Sequence, residues 1–346
     1  MMNIIEAIKL LIENKSLTQR QAYNICLEIM NGNATPAQIG SFLTALMMKG
    51  ETADEITGFV RAMRKKMIRI NCDLEALVDT CGTGGDTSGT FNISTTAAFI
   101  AAGAGCHVAK HGNRSNSSHC GSADLMQEIG IKIDLPKECV EECLKAHNIA
   151  FLYAPLFHPA MKSVSGPRKE MGIRTIFNLL GPIANPAGVQ KQIIGVCKKE
   201  FLPKIAEVLK NLGAKHCLVM QGGDGIDEIT TTTITYVQEI KDSRITCYTI
   251  SPEEFGIKIC SIEELRVKAT EENKRAVIDI LNCVPGPKTD IAIMNAGAAI
   301  YVAGKADSIA QGIERARESL YSKSALRKFE ALKRYTNEFS EDHNKA

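Results

Sequence analysis

Apolar residues recur at helical spacing through the first part of the chain. Ile4, Ile5, Ile8, Leu11 and Ile12 fall on one side of the opening segment, with Glu6 and Lys9 between them. That pattern predicts an amphipathic core helix rather than the unbroken apolar run of a leader peptide. The helix ends near Lys15, and QAYNICLEIMNG follows with Gly32 as its stop. TPAQIGSFLTALMMKG carries Thr35 as N-cap, Pro36 in the first turn and Gly50 at the end, and ADEITGFVRAMRKKM closes the run. The spacing predicts a small all-helical domain.

From Leu74 the pattern changes. ALVDT reads as a short strand, CGTGGDTSGT as a glycine-rich loop and NISTTAAFIAAG as a helix; CHVAK, the polar loop HGNRSNSSHCGS and the helix ADLMQEIG repeat the unit. IKIDL, a helix from Pro136 and the strand IAFLYAP follow, and QKQIIGVC, FLPKIAEVLKNLG and KHCLVMQG continue the alternation. Strand, loop and helix in turn predict a mostly parallel sheet with helices on its faces. TTITYVQEI and RITCYTI, joined through Lys241, Asp242 and Ser243, predict a hairpin; DIAIMNAGAAIYVAG predicts a buried helix, with amphipathic helices after it. SGPRKEMGIRTIFNLLGPIANPAG breaks the alternation and reads as the chain crossing back to the helical domain. The expected fold class is therefore α/β, with a small helical domain (1–71, joined by 164–188) and a larger α/β domain (72–163 and 189–346). A length of 346 residues agrees with about two domains.

Composition narrows the function classes. Forty-one basic residues against 39 acidic ones leave a formal charge of +2, so no broad field draws nucleic acid or an anionic membrane, and any anion site is local. No run of roughly twenty apolar residues occurs, which excludes a membrane-spanning helix. The 12 cysteines include no CxxC, and the close pair Cys139 and Cys143 sits on a helical pattern. Zinc spacing is absent, and reduced thiols in a cytoplasmic protein are expected.

Glycines in a strand-to-helix turn serve phosphate binding or tight turning, because only they take positive φ and let an anion approach the backbone. Gly82, Gly84, Gly85 and Gly89 stand in such a turn, with a helix expected from Asn92 whose N–H groups and Ser94, Thr95 and Thr96 hydroxyls face it. The loop is neither a Walker A motif nor GxGxxG, since Thr87 occupies the third glycine position. Asp86 repels phosphate, and fits there by bonding a ligand hydroxyl, a metal-bound water or a loop amide. The second loop, Lys110 to Ser118, concentrates Lys, Arg, His, Asn and Ser. Loops in these positions meet at the carboxyl edge of a parallel sheet, so the two together favour a pyrophosphate or phosphosugar cradle, with Arg114 as a bidentate partner and Lys110 as a point charge. Asp227 and Glu228, after another strand and a glycine turn, suit Mg²⁺ beside phosphates, with Asp224 a competitor for that role.

GTGGDTSGTFNIST, KHGNRSNSS with GSADLMQEIG, LFHPAMK with PRKEMGIRTIFNLLGPIANPAG, and GGDGIDEIT, in that order, resemble the anthranilate phosphoribosyltransferase family over essentially the whole chain. The resemblance implies transfer of the phosphoribosyl group of phosphoribosyl pyrophosphate (PRPP) to the amine of anthranilate, in tryptophan biosynthesis. It implies a homodimer formed through the helical domain, with no nucleic-acid or membrane partner. Gly82, Gly85, Asp86, Thr90, Asn92, Ile93, Ser94 and Thr95 match the PRPP-binding positions, extended by Lys110, His111, Gly112, Asn113, Arg114, Ser115, Asn116, Ser117, Ser118 and Ser122. Ser94, Asp227 and Glu228 match the Mg²⁺ positions, with two ions expected when PRPP is bound, and Gly82, Asn113 and Arg168 match the anthranilate contacts. Ser163 and Gln221 stand where the family usually carries His. No general base is assigned; His111 is a candidate for orienting the acceptor or accepting its proton.

Two rival readings have their own signatures. A pyrimidine nucleoside phosphorylase calls for a KHS-type loop and no acid pair after the third strand, whereas this chain has KHGNRS and Asp227–Glu228. A non-catalytic nucleic-acid-binding relative calls for a basic surface and loss of the KHGN residues.

Overall fold

The computed structural model describes residues 2–343 apart from Asp73, Glu75 and 115–119. Four helices open the chain: α1 (Ile4–Ile12), α2 (Gln19–Met30), α3 (Pro36–Lys49) and α4 (Ala53–Lys66). Each begins at a capping box, from Asn3, Thr18, Thr35 and Thr52, so side chains three residues apart satisfy the first free N–H groups. Their inward faces form an apolar cluster around Phe42, Phe59 and Phe177.

The α/β part runs β1 (Leu77–Asp79), α5 (Ile93–Gly103), β2 (His107–Gly112), α6 (Ser122–Glu128), α7 (Lys137–His147) and β3 (Ile149–Tyr153). The chain then forms α8 (Ala154–Phe157), α9 (Lys162–Met171) and α10 (Phe177–Leu180) before re-entering the sheet. α9 packs against α2 and α3. Next come β4 (Lys191–Gly195), α11 (Phe201–Asn211), β5 (His216–Gly222), β6 (Thr235–Lys241) and β7 (Arg244–Ile250), and finally α12 (Thr270–Leu281), α13 (Pro287–Ala303), α14 (Ile309–Tyr321) and α15 (Ser324–His343).

The strands form one sheet in the order β3-β2-β1-β4-β5-β6-β7, parallel from β3 through β5 and antiparallel at β6 and β7. Asp242 (φ 50°) and Ser243 (φ 62°) make the tight β6–β7 turn, whose left-handed pair matches strand twist. IKIDL buries Ile131, Ile133 and Leu135 alternately but joins no strand. α13 is buried almost all round and packs on α5, α14 and β4. The helical cluster extends onto the sheet through α11, Ile194, Val196, Cys217 and Val219. No described helix is long and apolar enough to cross a membrane, and no disulfide joins the described cysteines.

Candidate active site

From β1 the sheet grows outward in one direction through β2 and β3, and in the other through β4 and β5. Loops leaving neighbouring strands at such a reversal part and leave a crevice at the carboxyl edge. Three chain segments meet there. The Thr83 N–H donates to the Gly195 carbonyl at the end of β4 (2.9 Å). The Gly84 N–H donates to Asp227 Oδ2 (2.7 Å), and the Ser94 N–H, in the first turn of α5, donates to Glu228 Oε1 (3.2 Å). The Asp227 backbone crosses so close over β4 that a Cβ on Gly195 would lie 1.5 Å from the Asp227 carbonyl oxygen.

The glycine loop turns through positive φ at Gly84, Gly85, Thr87 and Gly89. Asp86 is used inside it: its carboxylate accepts from the Ser88 hydroxyl (2.6 Å) and N–H (3.3 Å). Of the roles open to Asp86, the loop amide is the one seen. Thr90 bridges to Arg266 and contacts the Ser88 hydroxyl (3.2 Å). The Asn92 N–H and side chain are held by Asn273, so Asn92 places no side-chain cap on α5. Ile93 and Thr95 turn their side chains into the core and present only backbone to the loop. An uncapped first turn beneath a glycine loop is an arrangement that receives anions.

Lys110 lies deeper than a loop cation. It is 2% exposed, and Nζ donates to the Thr80 carbonyl (3.1 Å) and Ser94 Oγ (3.2 Å). Burial pushes the neighbouring Asp79 carboxyl up to about 6, against the opposing pull of Lys110 and of bonds from Asn185, His111 and Thr80. Burial and the charge of Asp86 push Asp227 up to about 7; burial and Asp227 raise Glu228 well above the usual carboxylate range. Carboxylates driven upward together in this way need a cation. Asp224 is spent within its own turn, bonded by the Thr230 and Thr232 hydroxyls.

His111, next to Lys110 on β2, begins a second group of buried side chains. His111 Nδ1 lies 2.9 Å from the Gly181 carbonyl, which can only accept, so Nδ1 carries the proton and Nε2 keeps a lone pair. That Nε2 is buried with no partner among the described residues. The His158 ring stands 5.3 Å from that of His111. Burial pushes His111 down to about 3 and His158 down to about 4, so both are neutral at pH 7. Arg168 stacks on Phe177 (5.5 Å), with its pKa lowered by burial.

The second loop divides. Gly112 packs tightly, since a Cβ there would meet Ser122 Oγ at 2.2 Å and the Phe151 ring. The Asn113 carbonyl accepts from the Ala123 N–H (3.1 Å) and the Ser122 hydroxyl (3.4 Å). Arg114 is bonded to α6 through Asp124 (2.9 Å) and Gln127 (2.5 Å). Ser115, Asn116, Ser117 and Ser118 lie outside the described residues. Gln221 is buried on β5 opposite Tyr236, and Ser163 Oγ lies towards Gly32 at the end of α2.

Comparison with known proteins matches residues 74–326 to the a/b domain of the glycosyl transferase family and residues 5–67 to its helical bundle domain. The chain is 48% identical to the anthranilate phosphoribosyltransferase of Clostridium kluyveri, over 96% of this chain and 99% of that one. It is 47% identical to that of Acetivibrio thermocellus, over 96% and 97%. The chain belongs to the anthranilate phosphoribosyltransferase family. The solved Thermus thermophilus enzyme of this family superposes with a TM-score of 0.91 at 38% identity, covering 96% of this chain and 99% of that one. The Saccharomyces cerevisiae enzyme, solved in complex with PRPP and Mg, does so with 0.89 at 27%, covering 97% and 98%.

Three site residues of this family member escaped sequence reasoning. Asn295, fully buried on α13, accepts from the Ile229 N–H (3.0 Å) and donates to its carbonyl (2.9 Å), fixing the chain beside Glu228. His158 was quoted within its motif but given no role, and Arg174 reaches the glycine loop from the return segment. His158 and Arg174 had a signal, their places in LFHPAMK and PRKEMGIRTIFNLLGPIANPAG.

Proposed function

We infer that this protein transfers the phosphoribosyl group of PRPP to the amine of anthranilate, releasing pyrophosphate, as a step of tryptophan biosynthesis. One observation carries the reading: the glycine loop, the uncapped first turn of α5 and the Asp227–Glu228 pair meet at one reversal of the sheet. No observation favours the phosphorylase or the nucleic-acid reading.

The residues fit Mg²⁺. Among the described residues no three His, Cys, Asp or Glu side chains make a complete metal cage. Two crowded carboxylates and the Ser94 hydroxyl are instead a partial set of hard oxygens, which Mg²⁺ completes with phosphate oxygens and water. Ser94, Asp227 and Glu228 would hold it, as two ions with PRPP in place. Bound there, Mg²⁺ supplies positive charge to the pyrophosphate oxygens.

The reaction breaks the ribose C1–O bond, and its electron pair leaves with pyrophosphate. The amine lone pair closes the new C1–N bond, and the proton the nitrogen gives up passes to the departing pyrophosphate or to water. Those amides of the glycine loop and the first turn of α5 that no protein acceptor takes receive the growing negative charge. Lys110, underneath, offsets Asp79 and Glu228. An aromatic amine is uncharged at neutral pH, so no strong base is needed. His111, its basicity depressed by burial, accepts a hydrogen bond at Nε2 and orients the acceptor. Arg168 meets the anthranilate carboxylate, with Gly82 and Asn113 beside it.

Residues 1–71 with 164–188 are taken as one unit and the remainder as the other. Ile5 (50% exposed) and Ile12 (72%) on α1, with Met48 (78%) on the neighbouring α3, support a homodimer through the helical unit. Cysteines that form no disulfide among the described residues support a cytoplasmic location. The test is loss of anthranilate fluorescence that requires both PRPP and Mg²⁺. Undiminished fluorescence with folded protein and both present overturns the reading.

A further inference from the structure

The Gly84 peptide is gripped from two sides. Asp227 takes its N–H, and Arg174 Nη2 donates to its carbonyl (3.0 Å). The same guanidinium lies across Gly85, where a Cβ would fall 1.4 Å from Nη1 and 2.6 Å from Cζ. Gly85 therefore does two things: it takes φ +77°, and it leaves room for the Arg174 head group.

Arg174 does not belong to the loop it grips. It stands on the return segment, after Gly172 (φ +63°) ends α9, the helix that bears Arg168. The backbone that carries it is anchored: Thr175 and Ile176 are buried, and the Thr175 N–H is held by Asn178 Oδ1 (2.9 Å). Among the described residues the guanidinium has no carboxylate partner, so the Gly84 carbonyl is its hydrogen-bond acceptor. A loop with two consecutive left-handed glycines has many conformations to lose when it closes on a phosphate. A fixed donor on an anchored segment removes that loss in advance.

We propose that Arg174 is a positioning residue: from the acceptor-bearing segment it holds Gly84 and Gly85 in the shape that receives the pyrophosphate of PRPP. It acts through the loop backbone, and it joins the segment carrying Arg168 to the donor loop. This rests on the functional reading above.

The test uses the full-length protein with Mg²⁺ and compares wild type with Arg174→Ala and Arg174→Lys. PRPP affinity is measured by calorimetry, the KM of each substrate by anthranilate fluorescence, and the melting temperature alongside. Arg174→Ala is expected to weaken PRPP binding and raise its KM about tenfold, the scale of one charge-assisted hydrogen bond, with a smaller change in the anthranilate KM and an unchanged melting temperature. Arg174→Lys, which keeps a donor of the right charge, is expected to recover most of the loss. Wild-type PRPP affinity in Arg174→Ala overturns the proposal and leaves the functional reading intact. Equal losses for both substrates with a lowered melting temperature and no recovery by Lys also overturn it, because they mark a structural residue. Wild-type protein that binds no PRPP overturns the functional reading, and this proposal with it.

Discussion

On one side of the proposed site, Asp86, Asp227 and Glu228 crowd against the amides of the glycine loop and α5; on the other we place two neutral imidazoles and, as proposed for anthranilate, the Arg168 that stacks on Phe177. The first wall holds more negative charge than Lys110 offsets, so it is complete only when cations arrive with the substrate. The second suppresses charge on its histidines by burial. The contrast follows the chemistry. A departing pyrophosphate needs positive charge brought to it, whereas an aromatic amine reacts as a neutral nucleophile and needs only orientation.

The largest effect should come from breaking the charged wall. Asp227→Asn with Glu228→Gln keeps acceptors for the Gly84 and Ser94 amides but removes the metal-binding charge, so kcat should fall on the order of a hundred- to a thousandfold. The melting temperature without metal should hold or rise, since carboxylate repulsion is relieved. Near-normal turnover at limiting Mg²⁺ would show that the metal sits elsewhere.

Gly85→Val attacks the same wall through the backbone. A branched side chain at φ +77° against Arg174 adds strain of about 1–3 kcal/mol. PRPP affinity should drop well beyond anthranilate affinity; equal losses would mark the glycine as purely structural.

The histidine wall has a pH signature. A histidine held at about 4 when folded and near 6.5 when unfolded binds more protons unfolded, so its stabilising contribution is full above about pH 6.5 and is lost as pH falls towards 4. Asp79, pushed up to about 6, works in the opposite sense: its contribution is full below about pH 4 and is lost as pH rises through 6. Replacing His158 by Asn isolates the histidine part, and should reduce the stability lost between pH 8 and pH 5 by about 2 kcal/mol in urea melts. An unchanged pH slope would mean that His158 titrates normally.

The smallest of the four is Arg168→Ala, which should raise the anthranilate KM about tenfold and move the PRPP KM little. The opposite pattern would place Arg168 on the donor.

How legible each wall was in the sequence follows from the same contrast. The charged wall announces itself locally: glycines, hydroxyls and paired acids sit next to one another in the loops after β1 and β5, and strand–loop–helix alternation brings those loops to one edge. The hairpin turn at Asp242 and Ser243 and the Thr35 cap of α3 were legible for the same reason, since their determinants lie within a few residues. The histidine wall and the bracing are long-range. His111 meets Gly181 across 70 positions, Arg174 meets Gly84 across 90, and Asn295 meets Ile229 across 66. A lone arginine or a buried asparagine has no local pattern, so only the folded chain reveals what it holds. Arg114 shows the converse. Its place in a polar loop suggested phosphate, whereas its bonds to Asp124 and Gln127 on α6, ten and 13 positions onward, are seen only in the folded chain.

The proposed division of the site into a donor wall and an acceptor wall is tested most directly by titrating each substrate into each disabled wall. With Mg²⁺ present, PRPP and anthranilate are titrated separately into the Asp227→Asn, Glu228→Gln protein and into Arg168→Ala. Each variant should lose at least about tenfold in affinity for its own substrate and stay within about twofold for the other. If either variant loses both substrates together, the two walls are not separate sites.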